Sequence, residues 1–191
     1  MNVKKGLLVG ATAVGLTLSG AGVTTVSAAD DVQGTSVSGV HSSITNQEAA
    51  EYVNAIYDSA YSGKMPREAH DLKMNKSSKK AVHERLGEPQ ETEGGFDLYG
   101  WEMGNAGYGF AYNKDNTISE IRNFGTGVER QKNLGGITPA VLNEQFGSAD
   151  KILAVPQTNE MDYVYNTGKY ELHFVVGGDN TADHVNLKEA K

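Results

Sequence analysis

The sequence predicts an α+β protein in two layers, built from tandem helix–antiparallel-sheet repeats with one extra helix at the N-terminal end. Three observations point there. Two short segments, 78–87 and 138–147, each open on a hydroxyl residue, close on glycine and align at an offset of 60. Each is followed by stretches in which large and small or polar residues alternate, the period of a strand with one buried face. About 147 residues follow the N-terminal segments, enough for one domain with a sizeable core.

Residues 1–29 read as a secretory signal peptide. Lys4 and Lys5 precede an apolar run from Leu7 to Val23, and Val26-Ser27-Ala28 supplies the small residues a signal peptidase needs before Ala29. Gly15, Gly20 and Gly22 interrupt that run, which argues against a retained anchor, and no later stretch is long enough to span a membrane. The mature chain would carry fifteen bases against twenty-four acids, a net charge of −9, which argues against a nucleic-acid partner. The absence of cysteine excludes disulfide scaffolds, thiolate metal sites and thiol catalysis. These features predict a secreted bacterial protein, free or held at the cell wall. Residues 30–43 are small, polar and aperiodic, and predict a disordered leader.

A single domain is expected over 44–191. Its first helix is predicted over 45–63. Thr45 and Glu48 form a capping box, Ala49, Tyr52, Val53, Ile56 and Ala60 recur on one side, and Gly63 supplies a left-handed stop. Repeat 1 is expected over 74–125 and repeat 2 over 134–188. In each, a two-turn helix presents an apolar pair, Val82 and Leu86 or Leu142 and Phe146, and about three antiparallel strands follow. Pro139 suits the first helical position, where no N–H is needed. Asp115-Asn116-Thr117 and Asp179-Asn180-Thr181 read as matched turns; they lack the spaced acids of a calcium loop.

Alternation assigns the two faces of the sheet. Tyr108, Phe110 and Tyr112 share one face with Tyr170, Leu172 and Phe174, and so do Tyr99, Trp101 and Met103, and Met161, Tyr163 and Tyr165. The helices belong on that side. The opposite face is small and polar, and is expected to lie open. Tyrosines are costly core residues unless the hydroxyl finds a partner, so some of these rings are expected at a rim that marks a contact surface.

The pattern Val82-x-x-x-Leu86-Gly87-x-Pro89 after Ser77-Ser78 resembles the repeat unit of the β-lactamase-inhibitor-protein-like fold, shared with the outer-membrane assembly lipoproteins of the BamE/SmpA type. The second copy, Phe146-Gly147-Ser148-Ala149, keeps the glycine and loses the proline. The whole layout over 45–188 is similar to the YjgB-like family of exported bacterial proteins of unknown function. That resemblance implies a protein-binding or envelope-associated module and brings no catalytic residues with it.

No nucleophile elbow, phosphate loop, zinc-protease or EF-hand motif is present, and no cofactor is implied. The leading expectation is therefore a non-enzymatic module that binds a macromolecule on its open sheet face. Gly109 and Ala111 would admit a partner close to the backbone, with Glu102, Asp162, Glu171 and His173 around them. A second reading places phosphate-rich wall polymer on Lys76, Lys79 and Lys80, within a stretch, 64–85, that holds seven bases and three acids. A third is a hydrolase using the acids and histidine of the sheet, for which no nucleophile–base pair is recognisable. Glu88, Glu91 and Glu93 read as a solvated loop. His173 and His184 can approach across neighbouring strands, but exposed strand positions take polar residues by default and no metal is assigned.

Overall fold

The structure, a computed structural model, describes residues 38–100 and 104–191, with side chains from residue 47 onward. The expected signal peptide, most of the expected leader and the 101–103 segment carrying Trp101, Glu102 and Met103 lie outside the described residues.

Helix α1 (Ser38–Ala60) begins before the capping box at Thr45, so part of the stretch expected to be a disordered leader is helical. Its inner side is the one its spacing predicts. Ala49, Val53, Ile56 and Ala60 are fully buried, and Tyr52 nearly so. The chain leaves through Gly63, whose φ of +71° is left-handed and whose N–H donates to the Ala60 carbonyl at 2.8 Å. A Cβ there would stand 2.6 Å from the Tyr170 ring, so the position needs glycine twice over.

Helices α2 (Lys79–Leu86) and α3 (Pro139–Phe146) end alike. The Ser78 hydroxyl accepts from the Ala81 amide and the Thr138 hydroxyl from the Val141 amide, and Gly87 and Gly147 take φ of +86° and +80°. Each side-chain cap contributes about 1 kcal/mol.

Each short helix is followed by four strands rather than three. β1 (Glu91–Glu93), β2 (Phe96–Tyr99), β3 (Gly107–Tyr112) and β4 (Ile118–Gly125) follow α2. β5 (Lys151–Ala154), β6 (Met161–Asn166), β7 (Tyr170–Val176) and β8 (Ala182–Glu189) follow α3. Glu91 and Glu93, expected in a loop, thus lie in an edge strand. All pairings are antiparallel, and the sheet order is β1-β2-β3-β4-β8-β7-β6-β5. The two meanders meet at β4 and β8, where Ile121 faces Leu187 and Arg122 faces Asn186. Among the described residues the result is a mixed α/β fold with one eight-stranded antiparallel sheet and three α-helices.

The core lies between the helices and one sheet face. Tyr108, Phe110, Ile121, Leu172, Phe174, Val185 and Leu187 are sealed there with α1, Val82, Leu134 and Leu142. Burying each large apolar side chain contributes about 1.5–3 kcal/mol. Two of the tyrosines place their hydroxyls on carbonyls, Tyr108 donating to Pro66 at 2.7 Å and Tyr165 to Gly147 at 3.3 Å, whereas the Tyr99 and Tyr112 hydroxyls are buried without a hydrogen-bond partner. Tyr99, Tyr165 and Tyr170 are buried too, leaving Tyr112 and Tyr163 half-buried as the rim rings of the predicted set. Met161, expected on the inner face, is 38 % exposed at the margin of the sheet.

Candidate functional site

The sheet face turned away from the helices is crossed by a ladder of charged side chains. Register brings Gly109, Arg122, Asn186, His173, Val164 and Lys151 into one row over β3, β4, β8, β7, β6 and β5. Its bonds run both between strands and along them. His173 Nδ1 lies 2.8 Å from Asp162, His173 Nε2 lies 3.6 Å from Glu171, and Lys151 donates to Glu171 at 2.8 Å. Arg122 donates to Asn186 at 2.8 Å and to Glu120 at 3.3 Å.

This cross-linking changes the reading of the predicted contact residues. Glu171 is buried, His173 and Asp162 are largely covered, and Ala111 is half-buried. Gly109 does not open a path to the backbone. A Cβ built on it would meet Leu98 at 3.2 Å and Phe96 at 3.3 Å, so the sheet's own side chains already fill that space. Glu102 lies outside the described residues. Of the ladder, Asp162 Oδ1 alone is a buried atom with no hydrogen-bond partner.

The accessible parts of this face lie toward its ends. Beyond β3, Phe96, Leu98, Phe124 and Arg122 line a shallow cavity, with the Arg122 guanidinium 4.3 Å above the Phe96 ring. At the other end every residue of β5 is exposed, Ile152 by 54 % and Leu153 by 48 %. Ile152 pairs with Tyr163 on the helix side, and Leu153 with Asp162 on the open side, so β5 offers apolar side chains from both faces. Ile152, Leu153 and Met161 make up three of the five large hydrophobic residues exposed among the described residues.

A model of the family described as "Domain of unknown function (DUF4309)" matches residues 53–188. The chain belongs to this family. It is 62 % identical over 147 residues to the uncharacterized protein YjgB of Bacillus subtilis (strain 168), covering 75 % of this chain and 77 % of that one. The crystal structure of the DUF4309 family protein YjgB from Bacillus subtilis subsp. subtilis str. 168 superposes with a TM-score of 0.73 at 59 % identity, covering 75 % of this chain and 99 % of that one.

In this DUF4309 chain the basic stretch is organised around a residue that sequence reasoning missed. Asp97 is only 2 % exposed, beneath α2. Lys79 Nζ lies 3.0 Å from its Oδ2, His83 Nε2 lies 3.3 Å from the same atom, and Thr92 donates to Oδ1 at 3.2 Å. Burial pushes the Asp97 carboxyl up, but the bonds from Lys79 and His83 outweigh it and hold the group below the usual carboxylate range. Burial, reinforced by the charge of Asp97, pushes the neighbouring Tyr99 hydroxyl up to about 12. The signal for Asp97 was its parity with Tyr99 in Phe96-Asp97-Leu98-Tyr99, which puts an acid on the inward face.

Of the three predicted anion-binding lysines, Lys79 is thus turned onto Asp97 and Lys80 pairs with Glu84 at 3.2 Å. No interaction of the Lys76 side chain with a described residue is seen. His184 turns to Asp183 at 2.8 Å and His173 to Asp162, and no group of three acids or histidines gathers as metal ligands among the described residues. Both Asp-Asn-Thr segments are turns: Asp115 and Asp179 each accept from the amide and hydroxyl of the threonine two residues on. Those bonds hold both carboxyls below their ordinary range. Among the described residues no helix is long and apolar enough to cross a membrane.

Proposed function

We propose that this protein is exported and acts as a non-catalytic binding module, holding a macromolecular partner at or outside the cell envelope through the β5–β6 end of its open sheet. The observation that carries this is the contrast between the two edges of the sheet. β1 ends the sheet with Glu-Thr-Glu, the charged composition that discourages strand addition. β5 ends it with Lys-Ile-Leu-Ala, wholly exposed, its outer N–H and C=O groups without a neighbouring strand among the described residues. An extended segment of a protein partner can continue the sheet there, with Ile152 and Leu153 contacting alternate side chains on its two faces. Lys151 is neutralised by Glu171, so an apolar strand meets little uncompensated charge.

The polar ladder supports the edge from behind. It fixes β6 and β7 against β5 and keeps the middle of the face occupied by internal bonds. Within the same proposal, the two helix-and-meander halves derive from one duplicated unit of the β-lactamase-inhibitor-protein-like kind. Their matched caps and Asp-Asn-Thr turns support that origin.

The test is comparative capture from secreted and wall fractions of the parent cells. The mature protein should retain a partner that the Ile152→Lys/Leu153→Lys variant does not. Both positions are exposed, so the variant should unfold within a few degrees of the parent. Equal retention by a folded variant refutes the edge as the contact.

A further inference from the structure

We propose that the cavity beside α1, on the loop that follows β4, is a separate binding site for a small zwitterion carrying a carboxylate and an ammonium group, of the class of a free amino acid or short peptide. The wall on one side is Arg67. Its guanidinium lies 4.5 Å above the centre of the Tyr52 ring, and among the described residues no carboxylate stands within ion-pair distance of it. The ring beneath is a fixed shelf: Tyr52 is 6 % exposed and its hydroxyl accepts from Asn123 Nδ2 at 2.9 Å. A guanidinium held flat in this way presents its N–H edges for two parallel bonds to a carboxylate.

The same cavity holds an acceptor that lacks a hydrogen-bond donor. Glu48 Oε2 is withdrawn from solvent and receives no well-formed hydrogen bond. Its nearest cation, Lys132, is 3.5 Å away and is shared with Glu129 at 3.3 Å. A simple anion would meet Glu48 and Glu129, and a simple cation would meet Arg67 and Lys132. A molecule bearing both charges answers together the Arg67 guanidinium, which has no carboxylate partner among the described residues, and the Glu48 oxygen, which shares Lys132 with Glu129 and receives no hydrogen bond.

The walls are preformed. Asn133 and Thr126 are buried beneath the loop and bonded to each other, Asn133 Nδ2 donating to the Thr126 hydroxyl at 2.8 Å. Arg67 and Glu129 have φ of +58° and +49°, the left-handed region that side chains of their kind rarely enter. Both line this cavity. Backbone strain of that sort is kept where the surrounding structure has a use for a side chain's direction.

The experiment titrates the mature protein with alanyl-alanine, its C-terminal amide and its N-acetyl derivative, following melting temperature and heat. The dipeptide should bind and raise the melting temperature, while each blocked form binds about tenfold more weakly or worse. Arg67→Gln should erase the difference between dipeptide and amide, and Glu48→Gln the difference between dipeptide and N-acetyl form. The blocked ligands test the proposal on the unaltered protein, so it does not depend on either variant folding. It is overturned if blocked and free dipeptides bind equally. It is also overturned if neither the dipeptide nor a mixture of the common free amino acids moves the melting temperature at about 10 mM.

Discussion

Asp97 shows how a single buried charge organises its surroundings. With the acid almost wholly removed from solvent, Lys79, His83 and Thr92 converge on it from α2 and β1. Removing a partner while the carboxylate remains is the costly change. Lys79→Met should destabilise by about 1–3 kcal/mol, while Lys80→Met, which loses an exposed pair with Glu84, should cost under about 0.5 kcal/mol. Urea unfolding of the two variants separates these outcomes. Equal, small losses would mean that the Lys79 bond contributes little.

Among the described residues, four aspartates have folded-state carboxyls below their ordinary range: Asp97, Asp115, Asp179 and Asp183. A group of this kind stabilises the fold above its unfolded pKa, and that stability is lost as pH falls through the lower folded pKa. The melting temperature should therefore be level down to about pH 5 and fall steadily below about pH 4. A stability maximum near pH 3 would contradict that sign.

At the scale of the element, the helix ends were the most legible feature. Hydroxyl caps at Ser78 and Thr138 and glycine stops at Gly63, Gly87 and Gly147 act through bonds a few residues long, so local sequence suffices to find them. Gly63 carries the sharpest prediction. Gly63→Ala combines a left-handed backbone with a clash on Tyr170 and should lose about 1–3 kcal/mol, whereas Gly147→Ala, with open space around its Cβ, should lose less. Thermal melts of the two variants check the order.

The two edge strands escaped sequence reading for a physical reason. Neither buries a face, so neither Glu-Thr-Glu nor Lys-Ile-Leu-Ala shows the alternation that marks a half-buried strand. The start of α1 was misplaced because the Thr-x-x-Glu pattern that marks a capping box can also stand inside a helix, where those amides are already bonded along the chain.

At the scale of the whole molecule, the division into a helix-covered face and an uncovered one was readable from alternation, since Tyr108, Phe110, Leu172 and Phe174 all turn inward. The state of the uncovered face was not. Whether Glu171, His173 and Gly109 are available depends on which side chains stand beside them across strands, and that follows from register between segments far apart in sequence. Sequence parity placed these residues on the correct side, and cross-strand neighbours then closed over them. The proposed binding surface accordingly moves from the middle of the sheet to its β5 edge, where, among the described residues, Ile152 and Leu153 have no strand beyond them.

The most direct measurement is amide hydrogen exchange of residues 30–191, alone and after incubation with the partner that the proposed capture is expected to return. The account predicts that the outward-facing amides of residues 151–154 exchange quickly in the free protein and become protected in the complex, with those of β1 unchanged. Protection confined to α2, or to β1 while β5 stays open, would contradict it.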